Sequence, residues 1–233
     1  TGMSRVVHID AEALTVRTEA GIFWHSLAED LRRHRLDYLS APLNLTSSVG
    51  GTLGVGGIDV NSARYGCSAD QALALQVVTP TGDIVECSDT HNAELFQRVI
   101  LGYGQFGVIT EATLRIRRYT PLRMHYFYYA SLRTAIEDLQ LLDRNGVSDY
   151  SGILTIMDCA VNLLVAFDTA EREATFLQQA EQIAVGGDVV EAVVVHADVR
   201  NMRSHPLDRV APADLQELLV AHRVELQQRR AVL

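Results

Sequence analysis

Ser47-Ser48-Val49-Gly50-Gly51-Thr52-Leu53-Gly54-Val55-Gly56-Gly57-Ile58 is the stretch on which the reading of this 233-residue chain turns. Glycine weakens helices and strands alike, so five of them within positions 50–57 need a local reason. One reason is close approach of the backbone to a bulky ligand; the other reading is a flexible surface loop. Val49, Leu53, Val55 and Ile58 are interleaved with the glycines, which suits a buried turn better than a solvated linker. Ser48 is placed to cap a short helix running from Val49. Such a helix would leave free N–H groups and a positive dipole end for an anion.

Upstream, Val6–Asp10 and Leu14–Glu19 read as two strands around the turn Ala11-Glu12-Ala13. A helix follows from Gly21 to about Arg35, with Phe23, Leu27 and Leu31 on its inner face and Trp24 and His25 as packing residues. Downstream, Leu73–Thr79 and Ile84–Cys87 form a hairpin across Pro80-Thr81-Gly82-Asp83. Asn92 can cap a helix through Leu95, Phe96, Val99 and Ile100. Residues 102–107, GYGQFG, match GxGxxG, but the order around them is helix, glycines, strand. A dinucleotide fingerprint needs the reverse, so this turn does not signal a classical NAD site.

Pro121 marks a change of composition and a domain seam, dividing the chain into 1–120 and 121–233. Strands are expected at Arg123–Tyr129, Tyr150–Met157, Val161–Phe167 and Val189–Val195, and helices at Leu132–Leu142, Ala170–Ala184 and Asp214–Arg229. The leading order β-α-β-β-α-β is that of a ferredoxin-like split unit. Tyr126, Tyr128 and Tyr129 either pack a sheet face or line a pocket.

Composition narrows the chemistry. Hydrophobic residues make up 48% of the chain, enough for a packed core, and no apolar run reaches the length of a membrane span. All 20 basic residues are arginine, which excludes a Walker phosphate loop, a pyridoxal Schiff base and a lysine general base. The net charge of −9, with no basic stripe, argues against a nucleic-acid partner. Cys67, Cys87 and Cys159 lie far apart with no CxxC, as reduced residues of a cytoplasmic protein do, and no metal site is expected. No GxSxG elbow, HExxH motif or triad-like histidine occurs.

Two segments in register then carry a resemblance. SSVGGTLGVGGIDVNSARYG at 47–66 and LGYGQFGVITEATLRI at 101–116 are joined by the PTGD hairpin and by Asn92-Ala93-Glu94-Leu95-Phe96. Together they resemble FAD-linked oxidoreductases of the vanillyl-alcohol oxidase (PCMH-type FAD-binding) family, closest to cytokinin dehydrogenases and their bacterial relatives. The resemblance implies an α+β fold: a PCMH-type FAD-binding subdomain over 1–120, followed by a partial ferredoxin-like substrate domain over 121–233. It implies FAD as cofactor and hydride removal from a small-molecule C–H next to nitrogen or oxygen.

By the same resemblance, Ser48 takes the place of a cofactor-contacting threonine and Gly54 that of a serine that contacts FAD. Ile58 and Ile109 keep isoleucines that line the cofactor, while Gly50, Gly51 and Thr52 let the chain pass against it. Where cytokinin dehydrogenases carry an acidic base this chain has Leu43, with Asn44 beside it; neither accepts a proton as a carboxylate does, so no catalytic residue is assigned. No glycine-rich phosphate loop precedes Thr15, so the family's N-terminal phosphate-loop subdomain is expected to be missing from this chain, as it would be from a fragment of a longer protein, and a partner segment or a homo-oligomer is the expected partner beside the small-molecule substrate. Two other readings are a non-catalytic relative acting as a partner subunit, and the flavin subunit of a multicomponent hydroxylase.

Overall fold

In a computed structural model, the residues described are 2–59, 61–121, 123–129, 132–144, 150–156, 160–167, 169–183 and 189–195. The chain divides into two compact units, Thr1–Tyr119 and Thr120–Leu233.

The first unit is built around one long strand. β1 (Val6–Asp10) and β2 (Thr15–Glu19) form a hairpin, tightened where the Asp10 carboxylate accepts the N–H groups of Glu12 and Ala13 at 3.0 and 2.8 Å. α1 (Trp24–Arg33) and β3 (Leu36–Tyr38) follow, then α2 (Val49–Val55), α3 (Ser62–Tyr65), β4 (Ala72–Val78), β5 (Ile84–Ser88), α4 (Ala93–Val99) and β6 (Val108–Arg118). The sheet order is β1-β2-β6-β4-β5, with β3 paired to the far end of β6, and every pairing is antiparallel. An 11-residue strand can take three partners because each uses a different length or edge of its ladder. The core beneath it joins Val16, Trp24, Leu27, Leu31, Leu75 and Leu114, all essentially buried.

Three local expectations shift. The inner face of α1 is Trp24, Leu27, Ala28 and Leu31, while Phe23 is 42% exposed. Phe23 is still extended and bridges to Ser48, so the helical phase begins one residue later and turns Trp24 inward. His25, expected to pack, lies on the surface with its ring stacked on Phe23 at 5.7 Å. Asn92 precedes α4 but does not cap it; it sits in the left-handed region (φ 48°) and its amide donates to the Glu86 carbonyl at 2.8 Å.

The second unit is a four-stranded antiparallel sheet of order β10-β7-β9-β8, made of β7 (Arg123–Tyr129), β8 (Tyr150–Ile156), β9 (Ala160–Phe167) and β10 (Val189–Val195). α5 (Leu132–Arg144) and α6 (Ala170–Ile183) are its crossovers, so the ferredoxin-like arrangement is present. Inside it, the His125 ring and the Glu173 carboxyl, both buried, are 2.9 Å apart beside Phe167 and Phe176. The side chains of Tyr126, Tyr128 and Tyr129 and the helix expected over 214–229 lie outside the described residues.

Candidate functional site

α2 forms although three of its seven residues are glycine, because neighbouring backbone fastens its first turn. The Val49 N–H donates to the Ile22 carbonyl and the Gly50 N–H to the Ala20 carbonyl, both at 2.8 Å. Ser48 caps the helix as expected, its Oγ accepting the Gly51 N–H at 3.3 Å. The expectation of free N–H groups aimed at an anion is therefore overturned. The β2–α1 connection runs alongside the helix start and supplies the carbonyls that take them.

The glycines divide into two sets. A Cβ at Gly50 would lie 2.7 Å from the Cβ of Ala20, and one at Gly57 only 2.6 Å from the Thr52 methyl. Gly56 ends the helix in the left-handed region (φ 81°), where a side chain would also meet Leu101 at 2.8 Å. These three serve the protein's own packing. Gly51 would meet nothing but the Ser48 hydroxyl, and Gly54 meets nothing within 4 Å. Ser48, Gly51 and Gly54 recur every third residue along one open side of the helix, which they share with the exposed Val55.

Thr52 faces the other way. It is 4% exposed, its Oγ1 accepts the Trp24 indole N–H at 3.0 Å, and its own hydroxyl donates to the Ser48 carbonyl at 2.8 Å. Of the residues singled out in the sequence, Ser48, Gly51 and Gly54 thus come together on the surface, whereas Gly50 and Thr52 line the inner side. Ile58 follows three residues after α2 and is 66% exposed. Ile109 lies partly buried in β6 opposite Val77; the next carbonyl, of Thr110, accepts the Ala20 N–H at 2.8 Å, and Ala20 in turn holds Gly50.

The second glycine-rich segment closes the other end of α2. The N–H groups of Leu101 and Tyr103 donate to the carbonyls of Leu53 and Gly54 at 3.0 and 2.9 Å. These carbonyls would otherwise be orphaned at the helix C-terminus. Leu101 and Tyr103 reach them only in the left-handed region, with φ of 57° and 53°. No residue type at either position announces such a conformation in the sequence. Leu43, whose N–H donates to the Ile58 carbonyl at 3.1 Å, joins Val55, Ile58, Leu101 and Tyr103 as exposed apolar side chains around the open face. Asp59, beside Ile58, is a largely buried carboxylate, and burial pushes its pKa up to about 6.

Residues 1–88 match the family described as FAD binding domain. This stretch is an FAD-binding domain. Over 127 residues, 52% of this chain, the sequence is 38% identical to an uncharacterized oxidoreductase in the fasciation locus of Rhodococcoides fascians, covering 28% of that protein. Over 124 residues, again 52% of this chain, it is 36% identical to cytokinin dehydrogenase 3 of Oryza sativa subsp. japonica, covering 23% of it. The match thus spans about a quarter of these curated relatives. Among solved structures, the glucooligosaccharide oxidase from Acremonium strictum, whose 6-S-cysteinyl, 8α-N1-histidyl FAD has been studied, aligns with a TM-score of 0.67. It is 20% identical, with 86% of this chain and 44% of that one covered, so the likeness is one of fold. The FAD-binding domain contains α2 and its open face, and that face fits a flat cofactor, since side chains at Gly51 and Gly54 would fill the space beside it.

Proposed function

We propose that this chain is the FAD-binding part of an oxidoreductase that removes hydride from a small-molecule C–H next to nitrogen or oxygen. The observation that carries the reading is the bare Ser48–Gly51–Gly54 face inside an FAD-binding domain. On that face Ser48 offers a hydroxyl, Gly51 and Gly54 allow backbone contact, and Ile58 supplies an apolar edge. Gly50 and Thr52 shape the helix from within, and Ile109 lies partly buried in β6 next to Thr110, whose carbonyl holds Ala20. When bound, FAD would supply the hydride-accepting chemistry, and the residues of this face would hold and orient it. Leu43 is 58% exposed and cannot carry a proton, so a substrate needing a carboxylate base would require a group from elsewhere. Within this reading the partners are the small-molecule substrate and a segment or second copy that completes the cofactor cleft, and the compartment is the cytoplasm.

The second reading, a non-catalytic partner subunit, is favoured by one observation: the first-turn N–H groups of α2 are spent on the protein itself. The purified chain and its Gly54→Leu variant, each mixed with FAD, separate the two. Under the first reading the wild type retains the flavin visible bands through gel filtration and the variant loses them with an unchanged thermal melt. A wild type that retains no flavin, alone or with the remainder of its protein, refutes it.

A further inference from the structure

Trp24 is fully buried, while Phe23 before it is 42% exposed and His25 after it lies on the surface. The Val49 N–H donates to the Ile22 carbonyl at 2.8 Å and the Trp24 N–H to the Ser47 carbonyl at 3.1 Å. Phe23 and Ser48, enclosed by these two bonds, are therefore a non-hydrogen-bonded antiparallel pair. Residues paired in this way have Cα atoms about 4.5 Å apart and project their side chains to one side. The pairing brings Phe23 alongside Ser48, at one end of the Ser48–Gly51–Gly54 strip. His25 is fastened to the same stretch: its N–H donates to the Leu45 carbonyl at 3.0 Å, and its ring Nδ1 to that oxygen at 3.2 Å. The ring centroids of Phe23 and His25 are 5.7 Å apart and their planes differ by 17°, an offset stack. Phe23 takes no part in the core cluster of this unit. Folding thus leaves a flat aromatic ledge in water directly beside the bare side of α2.

We propose that the Phe23–His25 stack is the ledge that takes the isoalloxazine ring of FAD, with Phe23 as the cofactor-contacting residue. The inference rests on the flavin reading above and adds to it which ring system lies at the Ser48 end. Two nearly parallel, offset rings make a flat surface wider than either alone. The three fused rings of a flavin cover such a surface more fully than the two of adenine. The ledge is also built in advance of any ligand. Main-chain bonds join it to Leu45 and Ser47, and the Trp24 indole N–H, bonded to Thr52 Oγ1 at 3.0 Å, ties it to the inner side of α2. Binding a ring there orders few groups that were free before, which leaves most of the stacking energy for affinity. An aromatic side chain that carries a stacked base weakens binding by about tenfold or more when its ring is removed.

Titrations of the full chain with FMN, which has the flavin ring without adenine, and with ADP, which has adenine without the flavin, test the assignment. Binding to the wild type should quench FMN fluorescence, as stacking on an aromatic ring does. Phe23→Leu keeps the apolar bulk and removes the ring. It should bind FMN about tenfold more weakly, leave the bound FMN fluorescent and bind ADP as the wild type does. Phe23→Trp should restore both affinity and quenching. Should Phe23→Leu melt below the wild type, His25→Ala takes its place, since it removes the other ring of the stack from a surface position, and a loss of FMN affinity is again expected. Equal FMN affinity and quenching in the wild type and the ring-removing variant overturns the proposal, and so does a loss confined to ADP. In either case FAD retained by the wild type through gel filtration leaves the flavin reading standing. A wild type that binds neither FMN nor FAD, alone or with the remainder of its protein, removes that reading and this inference with it.

Discussion

Glycines that look alike in the sequence do opposite things. Gly50 has its neighbour Ala20 where a side chain would begin, while Gly54 has open space. Gly50→Val should therefore cost about 2 kcal/mol by overpacking, read as a lower denaturant midpoint with unchanged slope. Gly54→Leu should leave stability nearly unaltered and abolish flavin retention, read from the visible spectrum after gel filtration. Thr52→Val leaves the Trp24 indole N–H buried without its acceptor, a loss of about 1–2 kcal/mol in chemical unfolding. The sequence marked all these positions as unusual but could not say which side each faced. A helix of seven residues is too short for its own pattern to declare a buried face, and the inward side is decided by Ala20 and Trp24, which come from another part of the chain.

Elements were more legible than residues. The β1–β2 and β4–β5 hairpins, the Ser48-capped helix and the helix–glycine–strand order near 102–107 could all be read because turn and cap chemistry is local. How α2 is held at both ends has no local sequence signal. Its first turn is tied to Ala20 and Ile22, and its last carbonyls to Leu101 and Tyr103, so two glycine-rich segments far apart in the chain become one structure. The left-handed backbone at Tyr103, a residue 72% exposed, carries strain with little packing in return. Tyr103→Asn should raise stability by about 0.5–1 kcal/mol, since asparagine tolerates that conformation. A lower melting temperature would mean that the tyrosine ring, not the backbone, holds the turn.

For the molecule as a whole, the flavin reading makes a thermodynamic prediction. A ligand that binds the folded state alone stabilises it by about 2.7 kcal/mol at a hundred times its Kd, so FAD should raise the melting temperature of the first unit in a concentration-dependent way. The second unit is compact in its own right. Its own stability has a different test: Glu173→Ala removes the partner of the buried His125 ring and should cost about 2 kcal/mol in that unit's unfolding. The sequence by itself determined the α+β class, most of the strand and helix order among the described residues (β3 and α3 excepted), the exclusion of lysine chemistry and the two segments that point to FAD, because periodicity, turn residues and composition are properties of neighbours along the chain. Only the tertiary structure decided which glycines are bare, that the helix start is already occupied by main-chain carbonyls, and that Asp59 is withdrawn from water. Each of those depends on groups brought together from distant positions, and burial has no signature in the residue that suffers it.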